Sequence, residues 1–321
     1  MKEFIQTIED ELFTKNNITV DVLRLDLVHP LLQGNKYYKL KYNLLEAKKQ
    51  QKTTLLTFGG AFSNHILATS FAGKMYDFKT IGIIRGEETL PLNSTLKLAQ
   101  ENGMILFYVD RNTYQQKDKP DFTGILKEIL QEKSKERLRE NVDLRNIDFS
   151  DIYIIPEGGS NDLAIKGTAE ILESEIFNVY SHVCVCAGTG GTLAGLVAGK
   201  YFSQRESQQI IGISVLKNGS FLKDDVNEFL DNYFLKNCIK VPFGGLGATL
   251  ELDYHFGGYA KSKPELALFI ENFMQKYQIP LEFIYTGKLF YAIFDLIKKQ
   301  YFTEKARLLI IHTGGLRSCE L

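Results

Sequence analysis

Cysteine is scarce in this chain: four in 321 residues, at positions 184, 186, 238 and 319. That excludes a disulfide framework, and the spacing fits no zinc site, so no metal is expected. An excess of one charge is also missing. The 38 basic and 39 acidic residues leave a net charge of −1, too weak a field to invite nucleic acid or an anionic membrane. No apolar run approaches the length of a membrane span. Met1-Lys2-Glu3-Phe4 runs on into Glu9-Asp10-Glu11 without the apolar stretch of a signal peptide. These absences lead us to expect a cytoplasmic protein with neither nucleic acid nor membrane as partner. What remains is ordinary for a globular protein, 44% hydrophobic and 24% charged, and long enough for about two domains.

Along the chain the pattern is strand, glycine turn, helix, repeated. Residues 1–20 read as a polar helix and 20–27 as a strand. Apolar runs at 53–58, 80–84, 104–109, 152–155, 182–187, 209–215, 282–285 and 307–311 read as strands. Helical patterns cover 92–102, 125–141, 163–176, 193–202, 219–237, 264–276 and 288–300, with a polar loop at 112–123. The glycine-rich segment 244–259 shows no period. Cys184 and Cys186 alternate within one run and so share a strand face. Alternation of this kind predicts an α/β fold: open, mostly parallel twisted sheets with helices on both faces.

The chemistry is concentrated in the turns. Gln33-Gly34-Asn35-Lys36 suits a tight bend, after which Leu40, Leu44 and Ala47 mark a helix. A lysine in a helix's first turn sits at the positive end of the macrodipole, which disfavours its charge. Desolvation would lower its pKa further, toward the neutral amine a Schiff base requires. Taken alone, the stretch also describes a solvated lysine in a lysine-rich helix start. Gly188-Thr189-Gly190-Gly191-Thr192 joins an apolar strand to a helix and reads as a phosphate cradle, or else as a bare tight turn. It is not a dinucleotide fingerprint, since Leu193 stands where the third glycine belongs, nor a Walker loop. Ser63-Asn64-His65 opens a helix after Gly59-Gly60; simple capping accounts for it, while Ser63 could also hold a carboxylate or act catalytically by shuttling a proton, and Asn64 could donate to a cofactor oxygen. Tyr285-Thr286-Gly287-Lys288 and His312-Thr313-Gly314-Gly315 follow runs that read as strands, the side on which open parallel sheets bind ligands. An amine plus an anion cradle points to pyridoxal 5'-phosphate.

These motifs, with Ile155-Pro156-Glu157-Gly158-Gly159-Ser160, occur in an order that resembles the 1-aminocyclopropane-1-carboxylate deaminase / D-cysteine desulfhydrase family. The resemblance spans about residues 22–316. It implies fold-type II of the pyridoxal-phosphate enzymes, similar to the tryptophan synthase β subunit. A large cofactor-binding domain would comprise 1–45 with 157–321, and a small domain 46–156. Lys36 would bind the cofactor covalently and later move the Cα proton. Asn64 would meet the ring hydroxyl, Gly188 to Thr192 the phosphate with help from Lys39, and Ser63, Asn64 and His65 the carboxylate of a small amino-acid substrate. Tyr285 and Tyr259 match the two active-site tyrosines. The resemblance also implies a homodimer.

Family deaminases carry Glu after the tyrosine and Leu in the His-x-Gly-Gly turn, whereas desulfhydrases carry small hydroxyl residues at both. This chain has Thr286 and Thr313. A carboxylate at the ring nitrogen keeps it protonated, the strong electron sink that ring opening needs. D-cysteine has a Cα hydrogen and a good leaving group, and a threonine beside a neutral nitrogen suffices for it. The expected activity is α,β-elimination from D-cysteine. Deamination of the cyclopropane substrate or of another D-amino acid is the rival, with a silent ligand-binding module or a nucleotide-binding protein as alternatives of other kinds.

Overall fold

A computed structural model describes residues 1–117, 119, 122–137, 149–239 and 247–316. The chain forms two compact units, Met1–Asn43 with Gly159–Leu321, and Leu44–Gly158. The strands are β1 (Ile5–Ile8), β2 (Thr19–Arg24), β3 (Thr54–Gly59), β4 (Lys79–Arg85), β5 (Met104–Val109), β6 (Ile152–Ile155), β7 (His182–Ala187), β8 (Gln209–Ser214), β9 (Thr249–Glu251) and β10 (Arg307–His312). Helices α1 (Glu11–Lys15) and α2 (Asn35–Lys49) come first. The second unit adds α3 (Asn64–Tyr76), α4 (Ser94–Glu101), α5 (Arg111–Tyr114) and α6 (Phe122–Arg137). The first unit resumes with α7 (Asp162–Ala169), α8 (Gly191–Phe202), α9 (Leu222–Lys236), α10 (Pro264–Tyr277) and α11 (Thr286–Lys298).

In the first unit the sheet order is β1-β2-β10-β7-β8-β9. Only the β1–β2 pair is antiparallel. Side chains alternate across each strand, so one face takes Val22, Cys184, Ile213 and Ile310 and packs them on Phe273, Phe290 and Phe294 of α10 and α11. The other face takes Leu23, Val185, Leu309 and Ile311 and packs them on Leu193, Leu196 and Val197 of α8 and Phe234 of α9. Burial on both faces is why these strands read as unbroken apolar runs. In the second unit β5-β4-β3-β6 is wholly parallel. Leu56, Ile83 and Phe107 pack against Phe122, Leu126 and Leu130 of α6. Among the described residues no helix is long and apolar enough to cross a membrane.

Several elements depart from the sequence expectation. Residues 1–20 are not one helix. Ile5–Ile8 pairs with β2, Ile5 facing Leu23 and Ile8 facing Val20, so edge pairing overrides local helical preference. The strand expected over 20–27 stops at Arg24, because Arg24 turns to grip Asp26 and the backbone coils into a 3-10 turn at Leu25–Leu27. The polar loop at 112–123 begins with the single helical turn α5, capped by Asp110. The helix expected over 163–176 ends at Ala169 and gives way to 3-10 turns. The strand expected at 282–285 is absent. There the buried Glu282 carboxylate accepts the backbone N–H groups of Ile284 (2.6 Å), Tyr285 (2.8 Å) and Thr286 (2.6 Å), which winds the chain into the start of α11. The expected helix over 125–141 runs beyond Arg137, the glycine-rich segment overlaps 240–246, and Cys319 follows 316; these parts lie outside the described residues.

Candidate active site

The lysine turn is built on a buried ion cluster. Arg24 holds Asp26 through two bonds, Nε to Oδ1 at 3.0 Å and Nη2 to Oδ2 at 2.7 Å. His312, at the end of β10, brings Nδ1 to 3.1 Å from Asp26 Oδ1. Burial alone would raise the Asp26 pKa, but the hydrogen bonds from His312 and Arg24 outweigh it and hold it at about 2. Gly34 N donates to Leu25 O within this cluster's frame. Its φ of +67° and its contact with Thr313 both demand glycine: a Cβ there would lie 1.7 Å from the Thr313 carbonyl oxygen. Asn35 N donates to that same carbonyl at 3.3 Å. The lysine turn and the His312–Gly314 turn are thus fastened face to face.

Lys36 and Lys39 follow, one helical turn apart on α2 and so on one side of it. Desolvation draws the Lys36 amine down to about 8, with Cys186 acting weakly the other way. Lys39 is buried, and desolvation followed by the charge of Lys36 pushes its pKa well below the usual lysine range. Its Nζ donates to Ser160 Oγ at 2.9 Å, and Ser160 Oγ lies 2.7 Å from Thr189 Oγ1. Asn35 Nδ2 donates to Thr192 Oγ1 at 2.8 Å. The helix that carries Lys36 is therefore bonded directly to the Thr192 hydroxyl and, through Ser160, to that of Thr189.

That loop leads from β7 into α8, whose N-cap, Gly190, brings no capping side chain. The first amides of a twelve-residue helix therefore open onto the loop. At Gly191 a Cβ would meet Ser160 Oγ at 2.5 Å and Lys39 Nζ at 3.0 Å, and at Gly188 one would touch the Tyr285 ring at 3.0 Å. Tyr285 stands edge to face with Tyr259, ring centroids 6.0 Å apart. Burial, then the neighbouring Tyr259 and its hydrogen bond, push the Tyr285 phenol well above its ordinary range. Thr313 Oγ1 lies 3.2 Å from Cys186 Sγ. The Thr286 hydroxyl is committed to Glu282: it accepts from Glu282 N at 3.0 Å and donates to Oε1 at 3.1 Å.

The first unit so brings together Lys36, Lys39, Gly188 to Thr192, Tyr259, Tyr285 and Thr313. Ser63, Asn64 and His65 belong to the second unit. Ser63 caps α3, accepting from Ile66 N at 3.3 Å. His65 is buried, its Nε2 2.8 Å from Thr57 Oγ1. Thr57 gives its own hydrogen to Ile155 O, so His65 Nε2 is the donor in that pair. Sequence reasoning assigned no hydrogen-bond partner to the side chains of Asn35, Ser160 or Glu282. The first two sit inside glycine turns it had marked; Glu282 left no signal, as nothing in the spacing shows a carboxylate gathering three amides.

A family profile described as "Pyridoxal-phosphate dependent enzyme" matches residues 14–314. The chain belongs to this family of pyridoxal-phosphate dependent enzymes. A Pyrococcus furiosus relative, provisionally named 1-aminocyclopropane-1-carboxylate deaminase, is 31% identical over 302 residues, 92% of this chain and 84% of the relative. A Yersinia pestis relative named D-cysteine desulfhydrase is 26% identical over 299 residues, 92% of this chain and 86% of the relative. A crystal structure of a 1-aminocyclopropane-1-carboxylate deaminase homologue superposes with a TM-score of 0.77 at 28% identity, covering 98% of this chain and 89% of that one. The residues fit the family's cofactor. A lysine amine donor, two threonine hydroxyls and uncapped helix amides suit a phosphate, and an amine with a pKa near 8 suits an aldehyde.

Proposed function

We propose that this enzyme removes sulfide and ammonia from D-cysteine. Water enters the balance, and pyruvate, hydrogen sulfide and ammonia leave. The observation that carries this reading is the pair Thr286 and Thr313, hydroxyl groups where the resemblance places Glu and Leu in the deaminases. With the Thr286 hydroxyl committed to Glu282, Thr313 is our candidate neighbour for the cofactor's ring nitrogen.

When bound, pyridoxal phosphate supplies an electrophilic aldehyde and an electron-withdrawing ring that acidifies the substrate's Cα–H. Lys36 Nζ is the amine we assign to that aldehyde, and later the base that takes the Cα proton. Its lowered pKa leaves a usable neutral fraction near pH 8. Lys39 Nζ, the Thr189 and Thr192 hydroxyls and the α8 amides hold the phosphate, which makes the first unit the cofactor domain. The Tyr285 phenol stays protonated because its pKa is raised, so it is suited to donate to the departing sulfur. Tyr259 orients that hydroxyl. Ser63, Asn64 and His65 are assigned to the substrate carboxylate and ring hydroxyl on the resemblance. The same resemblance carries a homodimer, which light scattering on the purified protein tests; the cytoplasmic location is inferred from the composition.

The name of the P. furiosus relative favours a second reading, opening of the cyclopropane ring to 2-oxobutanoate and ammonia. Purified holoenzyme given each substrate separates the two. Pyruvate with sulfide from D-cysteine supports our reading; 2-oxobutanoate alone supports the other.

A further inference from the structure

Tyr259 sits in an unusual loop. Phe256 (φ +51°), Gly257 (+97°), Gly258 (+118°) and Ala260 (+52°) all adopt the left-handed half of backbone space, and two of them carry side chains. Such conformations are costly and persist only where neighbours impose them. Local bonds contribute: Gly258 N donates to His255 O at 3.0 Å, Gly257 N to His255 Nδ1 at 2.9 Å and Lys261 N to Gly258 O at 3.1 Å. The other tie comes from far away in sequence. Lys288, buried in the first turn of α11, donates its Nζ to the Gly258 carbonyl at 2.8 Å.

A buried ammonium spent on one carbonyl is an expensive way to hold a loop. Its surroundings explain the choice. Glu282, also buried, faces Lys288 electrostatically while gripping the Tyr285 amide. The same turn therefore fixes both tyrosines: Glu282 holds the main chain of Tyr285, and Lys288 holds the residue before Tyr259. We propose that Lys288 is a positioning residue which, with Glu282, clamps the Tyr259 loop and sets Tyr259 against Tyr285. The inference rests on the assignment of those tyrosines to the active site.

The test compares Lys288→Met, Tyr259→Phe and the double variant as holoenzymes, using whichever of D-cysteine and the cyclopropane substrate is turned over. Lys288→Met is expected to keep the cofactor absorbance band and to speed hydrogen exchange in a peptide spanning 255–261. Its kcat is expected to fall about 10-fold to 100-fold, the scale of a misplaced catalytic group, with a smaller change in KM. The double variant is expected to be no slower than Tyr259→Phe alone. Undiminished kcat in Lys288→Met, or losses that multiply independently in the double variant, overturns the proposal. If Tyr259→Phe by itself turns over normally, the role given to Tyr259 fails, and exchange alone then decides the clamp: unchanged exchange in 255–261 removes it, faster exchange sustains it. Should Lys288→Met not fold, Lys288→Gln, one atom shorter and uncharged, carries the same measurements with the same expected direction, and native exchange and turnover there also overturn the proposal.

Discussion

Gly34 lies so close to Thr313 that a single added carbon would stand 1.7 Å from the threonine's carbonyl oxygen. The two residues are 279 positions apart by number (313 − 34), yet they set the turn from which the lysine helix starts. Gly34→Ala must move backbone against backbone while holding φ at +67°. We expect a loss of about 3 kcal/mol or more in stability and failure to retain cofactor, read by chemical denaturation and by absorbance of the purified protein.

The amine of Lys36 should titrate near pH 8. Only its neutral form attacks an aldehyde, and its pKa is lowered, so capture of pyridoxal phosphate by the cofactor-free protein should rise as pH increases through about 8. Stopped-flow absorbance across pH 6.5–9.5 (about one and a half units either side, to bracket the transition) checks this. A rate still climbing steeply at the top of that range would contradict it. Lys36→Ala should abolish the band and turnover together.

Ser160 joins Lys39 to Thr189. Ser160→Ala removes an acceptor from the buried Lys39 amine, so pyridoxal phosphate should bind about 10-fold more weakly, while pyridoxal without its phosphate should be little affected. Equal weakening of both would show that Ser160 does not act on the phosphate.

Asp26 is held between Arg24 and His312. Its folded pKa of about 2 lies below the ordinary 3.8, so its contribution is fully present above pH 3.8 and is lost as pH falls from there toward 2. Asp26→Asn should cost about 3–5 kcal/mol at neutral pH by leaving a buried cation without its counter-charge. It should also flatten the stability curve between those pH values, as read by urea denaturation.

Tyr285→Phe should keep the cofactor spectrum while slowing elimination by about 10²-fold or more, the scale of a lost general acid–base. Wild-type turnover would take Tyr285 out of the mechanism.

The parallel sheets were legible because β3, β7, β8 and β10 are apolar runs closed by glycine or polar turns, a pattern with few other physical meanings. Residues 1–20 were not. Ile5–Ile8 is too short to show a period, and its strand exists through β2, which no local signal reports. The turn before α11 misled for a different reason. Phe283-Ile284-Tyr285 is apolar and aromatic like a strand, while the force that shapes it is one buried carboxylate. Within the candidate site, glycine turns marked Lys36 and the Gly188–Thr192 loop. The side chains that tie them together, Asn35 and Ser160, could be recognised only once the fold had brought distant turns side by side.

The bond from Asn35 to the Gly188–Thr192 loop, and the link from Lys39 through Ser160 to the same loop, have a consequence for the proposed cofactor loading. Helix α2 and the loop are already aligned by contacts within the protein itself. An arriving phosphate would then meet donors that need little reorganisation, so the ordering entropy is spent during folding rather than during association. A chain built this way should emerge from synthesis receptive to its vitamin, with the receptor's shape owed to folding and the colour owed to the guest.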